Sequence, residues 1–158
     1  MLEQRHKAIF LSCHPKDRQW LRRLEIHLKP LLRQGLITTW SPNQVQAGED
    51  LETALRGALN QSHILVLLVS ADYLASPEIE RMLSVAREQQ LRLLWLPVGP
   101  SSWEETELSS FVPLIDPKSA LALLDLRKAE KVLVEASKRI VNITLAANNC
   151  SPNKEGKG

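Results

Sequence analysis

Cys13 and His14 stand side by side just after the apolar run Ile9-Phe10-Leu11. A thiol beside an imidazole is the raw material of nucleophilic catalysis. The pair is poorly arranged for it, because neighbours in an extended segment point to opposite sides, and packing of a loop is the simpler use of both. The remaining histidines, His6, His27 and His63, have no close metal-ligand spacing with one another or with a cysteine, so no metal site is expected. Carboxylates offer more. Ser76-Pro77-Glu78 has the order of an N-cap, a proline at the first helical position and a first-turn acid. Glu78 lies four residues before Met82, one helical turn away on the same face. It can complement the helix dipole there, worth about 0.3–1 kcal/mol, or project a carboxylate into a site; the dipole role is the simpler reading. Glu80 falls on another side of the helix, and Met82 keeps step with Ile79, Leu83 and Ala86 as part of a buried stripe.

Other chemistries lack their residues. There is no P-loop and no Gly-x-Gly-x-x-Gly after the first apolar run, and six glycines in 158 residues leave little for a phosphate cradle. Net charge is +2, too small to argue for nucleic acid or an anionic membrane. Trp20, Trp40, Trp95 and Trp103 therefore read as core residues rather than a base-stacking platform, and Arg18, Arg22 and Arg23 as the solvated face of a helix that can also meet a partner. No apolar stretch reaches the roughly 18–20 residues that span a bilayer, and Met1 to Lys7 lacks the apolar core of a signal peptide. Cys13 and Cys150 lie far apart, so a structural disulfide is not expected and a cytoplasmic location is.

The elements that must position these residues follow from hydrophobic patterning. Ile64 to Val69 is six apolar residues without polar alternation, which suits a strand buried on both faces of a parallel sheet. Ligands in open α/β sheets gather beyond the carboxyl ends of such strands. Further strands are expected at Lys7 to Ser12, Ile37 to Trp40, Leu91 to Val98 and Leu121 to Leu124. A helix follows Asp17, whose charge suits its N-terminus, with Pro30 kinking or restarting it and Gly35 ending it. Others are expected at Glu49 to Gln61, from Ser76 to about Gln89, briefly at Trp103 to Phe111, and from Arg127 to about Leu145. This alternation predicts an α/β fold: a flavodoxin-like three-layer sandwich with a central, mostly parallel five-stranded sheet and helices on both faces. Residues 1–145 form one domain, and 146–158, rich in polar residues, read as a tail or linker.

Taken together the segments resemble a Toll/interleukin-1 receptor (TIR) domain of bacterial type, over about Lys7 to Ile140. Ile9-Phe10-Leu11-Ser12-Cys13-His14-Pro15-Lys16-Asp17 is similar to the family's first motif. Leu36 to Trp40 followed by Gln46-Ala47-Gly48-Glu49-Asp50 is similar to its second strand and loop. Ile64 to Ser76 is similar to its third strand and the Ser-x-x-Tyr-Leu-x-Ser turn, and Leu96-Pro97-Val98 with Ser102-Trp103-Glu104-Glu105-Thr106-Glu107-Leu108 to its fourth strand and Trp-x-x-Thr-x-Leu element. Any one of these motifs is weak, but four in order with suitable spacing are specific.

The resemblance implies two classes of function. One is a signalling or assembly module of a bacterial defence or signalling protein. It would act by self-association or TIR–TIR contacts through the Ser41–Gly48 loop, with weak or absent catalysis and with downstream domains on the same polypeptide. The other is an NAD+ nucleosidase, active on oligomerisation, that releases nicotinamide. NAD+ is then substrate or ligand and no cofactor is implied. The family's carboxylate, which would steady an oxocarbenium-like ribose, sits in a helix motif filled here by Ser76-Pro77-Glu78-Ile79-Glu80-Arg81-Met82-Leu83. Met82 occupies the glutamate position, and Glu78, one turn earlier, is the candidate catalytic residue in its place. The resemblance further implies Phe10, Ser12, Cys13, Asp17, Trp40, Gly48 and Ser70 as residues that hold the dinucleotide.

Overall fold

The computed structural model describes residues 7–33 and 35–157, with side chains as far as Ala146. The signal-peptide reading of the N-terminus rests mainly on residues 1–6, outside this set, as do His6 and the side chain of Cys150. Four strands, β1 (Lys7–Ser12), β2 (Ile37–Trp40), β3 (Ile64–Val69) and β4 (Arg92–Pro97), form a parallel sheet in the order β2-β1-β3-β4. Every residue of β3 is buried, as an unbroken apolar run at the centre of a parallel sheet requires. Alternation then sorts the side chains into two layers. Ile9, Leu11, Ile64, Val66, Leu68, Leu94 and Leu96 face one way, against α1 (Arg18–Leu28) and α5 (Leu126–Lys157). Phe10, Leu65, Leu67, Val69, Leu93 and Trp95 face the other, against α2 (Leu51–Gln61), α3 (Ala71–Ala75) and α4 (Pro77–Gln89).

Among the described residues the sheet has four strands, not five. Leu121–Leu123 forms a 3-10 turn instead, in which Leu121 is fully buried while Ala122 and Leu123 are exposed. One buried leucine anchors the segment, and a single backbone hydrogen bond from Ala122 to the Val98 carbonyl, 2.7 Å, joins it to the end of β4. One bond is not a ladder. Trp103 to Phe111 likewise forms two 3-10 turns, Trp103–Glu105 and Glu107–Ser110, rather than a helix, with Trp103 and Leu108 packed on the α2–α4 side. Pro30 restarts the chain after α1 as a 3-10 turn over Lys29–Leu32, and Gly35 closes it at φ +80°, a conformation that suits glycine. The last helix runs to Lys157, so residues 146–157 continue its helical backbone beyond the expected end near Leu145.

Two caps differ in their hydrogen bonds from the expected form. Asp17 occupies the N-cap position of α1 without accepting from its amides; its carboxylate instead takes a hydrogen bond from the Ser70 hydroxyl, 2.6 Å away. Ser76 precedes Pro77 at the start of α4, but its hydroxyl donates back to the Tyr73 carbonyl at 2.7 Å and closes α3.

Candidate functional site

The carboxyl ends of β1 and β3 open into a cleft of about 300 Å³. The turn after β1 supplies Ser12, Cys13, His14 and Pro15, and the first turn of α1 supplies Arg18; the loop after β2 supplies Pro42 and Asn43. Leu21, Leu51 and Leu55 make an apolar wall, and Tyr73, Ser76 and Glu78 close the far side. The cleft thus carries one guanidinium, one carboxylate and a set of hydroxyls against hydrocarbon. No ion pair joins Arg18 to Glu78 among the described residues, which leaves both charges available to a ligand.

A chain of hydrogen bonds fixes the cleft floor. Ser70, at the end of β3, donates to Asp17 and accepts from the Tyr73 amide at 3.2 Å, capping α3. That cap orients Tyr73, whose buried hydroxyl meets the Ser12 hydroxyl at 2.8 Å. Burial pushes the Tyr73 phenol well above its ordinary range, so it remains a neutral hydrogen-bonding group. The outer edge of the same junction is spanned by Lys16 and Asp72, 3.8 Å apart and exposed.

Cys13 and His14 both line this cleft without forming a nucleophile–base pair. Burial, and then the charge of Asp17, push the Cys13 thiol up to about 12, far from the thiolate that nucleophilic work needs. The His14 Nδ1 atom accepts a hydrogen bond from the Lys16 amide at 3.1 Å and caps the 3-10 turn Pro15–Asp17.

The residues named from sequence fall into three groups. Ser12, Cys13 and Glu78 line the cleft. Asp17 and Ser70 lie beneath it, buried and bonded to each other. Phe10, Trp40 and Gly48 are not on it. Phe10 is fully buried in the α2–α4 layer and stacks on the half-buried Trp40 with ring centroids 5.0 Å apart, so one face of the Trp40 ring is covered by Phe10. Gly48 sits at φ +92° in an exposed turn ahead of the Asp50 cap of α2. Met82 is fully buried among the apolar residues of α4 and the sheet, while Glu78, one turn earlier, reaches the cleft. Sequence reasoning passed over Arg18 and Tyr73 as site residues. Arg18 reads as helix surface, and only its place directly after the β1 turn hints at the cleft. Tyr73 lies in the Ser70–Ser76 turn, where its type suits either packing or a site. No group of three or more His, Cys, Asp or Glu side chains comes together to hold a metal among the described residues.

A family model for the TIR domain matches residues 9–141, most of the chain. The chain belongs to the TIR domain family. This TIR domain is also 34% identical over 94 residues to the uncharacterized protein y4lF of Sinorhizobium fredii. The match covers 58% of the chain and 29% of that protein, so the chain spans under a third of the relative's length. Among solved structures it is similar to the TIR domains of the activated Roq1 resistosome directly recognizing the pathogen effector XopQ, at 18% identity and a TM-score of 0.48 over 84% of each chain. No helix among the described residues is long and apolar enough to cross a membrane.

Proposed function

We propose that this TIR domain is an assembly module of a cytoplasmic signalling or defence protein, associating with copies of itself or with other TIR domains, with weak or absent turnover of NAD+. The observation that carries the reading is Met82. At the position where the family resemblance puts a working carboxylate stands a thioether with no exposed surface, and it cannot steady a cationic ribose. The surface expected to make the contacts is available: Asn43, Gln44, Gln46, Ala47 and Gly48 of the loop after β2 are exposed. That loop is held at its base, where the buried Ser41 hydroxyl donates to Glu25 on α1 at 3.0 Å. Segment 146–158 would lead into further domains of the polypeptide. Sedimentation velocity over a wide concentration range tests the proposal. It expects growth of larger species with concentration; a chain that stays monomeric and binds no other TIR domain contradicts it.

A second reading is supported by Glu78 alone. Its place in the cleft opposite Arg18 suits an NAD+ nucleosidase in which Glu78 faces the ribose and Arg18 the pyrophosphate, with the cleft completed by association. Nicotinamide release by concentrated protein, abolished in Glu78→Gln, would establish that reading.

A further inference from the structure

Charge in this domain is sorted by layer, and the ion pairs sharpen the sorting. On α1, the turn after it and α5 as far as Ala146, the acids are largely occupied: Glu130 is gripped by Arg23 at 2.7 Å and His27 at 2.7 Å, and Glu25 accepts from Ser41, which leaves Glu135 as the exposed acid of α5. Arg22, Lys29, Lys128, Lys131 and Lys138 remain exposed there with no acidic partner among the described residues. The opposite layer is the reverse. On α2 and α4 the bases are occupied, Arg56 and Arg81 by Glu52 and Arg87 by Glu107. Glu80, Glu88, Glu104 and Glu105 remain exposed without a basic partner among the described residues. A net charge of +2 therefore hides two opposed faces.

We infer that a second copy of this chain docks its α2–α4 layer on the α1/α5 layer of the first, the two faces being electrostatically complementary. The inference rests on the assembly reading above and gives it a second surface, separate from the loop after β2. Because the two layers lie on opposite sides of the sheet, one copy cannot satisfy both with the same neighbour. The contact is heterologous, so each docking leaves one basic and one acidic face free, and the assembly grows until it closes. Ile26, exposed on the outward side of α1, adds apolar contact to the basic face. The complementary surface is present in the chain itself, which favours a second copy over a nucleic acid or other polyanion as occupant of the basic layer.

The test is sedimentation velocity on three proteins: the wild-type chain, Lys131→Glu with Lys138→Glu, and Glu80→Lys with Glu88→Lys. Exposed substitutions of this kind leave folding nearly unchanged. The wild-type chain is expected to associate at about 0.1 M salt and to dissociate toward about 1 M, as the screening length falls from about 10 Å to about 3 Å. Each double variant alone should associate at least about tenfold more weakly, and an equimolar mixture of the two should recover association, since each then carries the face the other lacks. If the wild-type chain associates and both variants match it, the layer contact is overturned while assembly through the loop stands. A wild-type chain monomeric under all conditions overturns the layer contact and removes self-association from the functional reading as well. Binding of a duplex oligonucleotide that is lost in Lys131→Glu with Lys138→Glu, with self-association unchanged, would give the basic layer to a polyanion and overturn the inference.

Discussion

Replacing Met82 by glutamate restores the family's residue type at that position and puts the reading of the site at risk. The Met82 side chain has no exposed surface and packs in the α2–α4 layer with Phe10, Tyr73, Ile79 and Leu83. A carboxylate there exchanges water for hydrocarbon. Burial of that kind raises a carboxyl pKa by up to about 3–5 units, and each unit is about 1.36 kcal/mol. The expected loss is thus about 4–7 kcal/mol once pH exceeds the raised pKa, and about 3–4 kcal/mol at neutral pH, where the folded carboxyl is still largely protonated; either is a large share of the stability of an ordinary domain. Met82→Leu, which keeps volume and polarity, should cost less than about 1.5 kcal/mol. The loss must also depend on pH. In the Met82→Glu variant the folded state holds the proton of the introduced carboxyl to higher pH than the unfolded chain, which releases it near about 4.3. The folded state binds more protons between those two values, so the penalty grows as pH rises through that window and then levels off. Guanidinium denaturation of wild type, Met82→Leu and Met82→Glu at about pH 5 and about pH 8, either side of most of that window, reads both effects. A Met82→Glu protein that loses less than about 1 kcal/mol at the higher pH, or whose penalty does not grow with pH, would show that position 82 opens to the cleft and would refute the reasoning from burial.

Three other perturbations probe the site and its scaffold. Ser70→Ala removes the α3 cap, about 1 kcal/mol, and strips the buried Asp17 carboxylate of its donor, about 1–3 kcal/mol more; denaturation should show a loss of about 2–4 kcal/mol, and one under about 0.5 kcal/mol would mean the Asp17–Ser70 bond does not hold the cleft floor. Cys13, its thiol pushed up to about 12, should be alkylated by iodoacetamide at mildly alkaline pH far more slowly than in the unfolded chain; equal rates would restore a reactive thiol to the cleft. The Arg23 guanidinium holds the Glu130 carboxyl down at about 2 from an ordinary 4.5, with His27 adding to it. The clamp between α1 and α5 is therefore present above pH 4.5 and lost as pH falls toward 2, and Glu130→Gln should flatten that part of the acid-denaturation curve.

What could be read from the sequence, and what could not, divides along physical lines. Ile64 to Val69 declared itself because a strand buried on both faces has no polar residue to alternate with, and Pro30 and Gly35 because backbone chemistry allows them few places. Leu121 to Leu124 misled because four apolar residues match a strand equally well when only the first is buried. Phe10 and Trp40 were assigned to a ligand by their motif, whereas the pleat turns Phe10 into the core, where the two rings stack on each other. Arg18 and Glu78 reach the same cleft from different helices, a juxtaposition set by the sheet order that no local pattern encodes. The pairing of Ser70 with Asp17 is likewise tertiary, joining residues 53 apart, although the family resemblance names both.

Assembly in place of turnover is the central claim, and nicotinamide release from NAD+ by concentrated, associated wild-type protein tests it most directly. The predicted result is at most a trace of release above a protein-free control while larger species are present in the same sample. Sustained release that disappears in Glu78→Gln would contradict it and make the cleft a catalytic one.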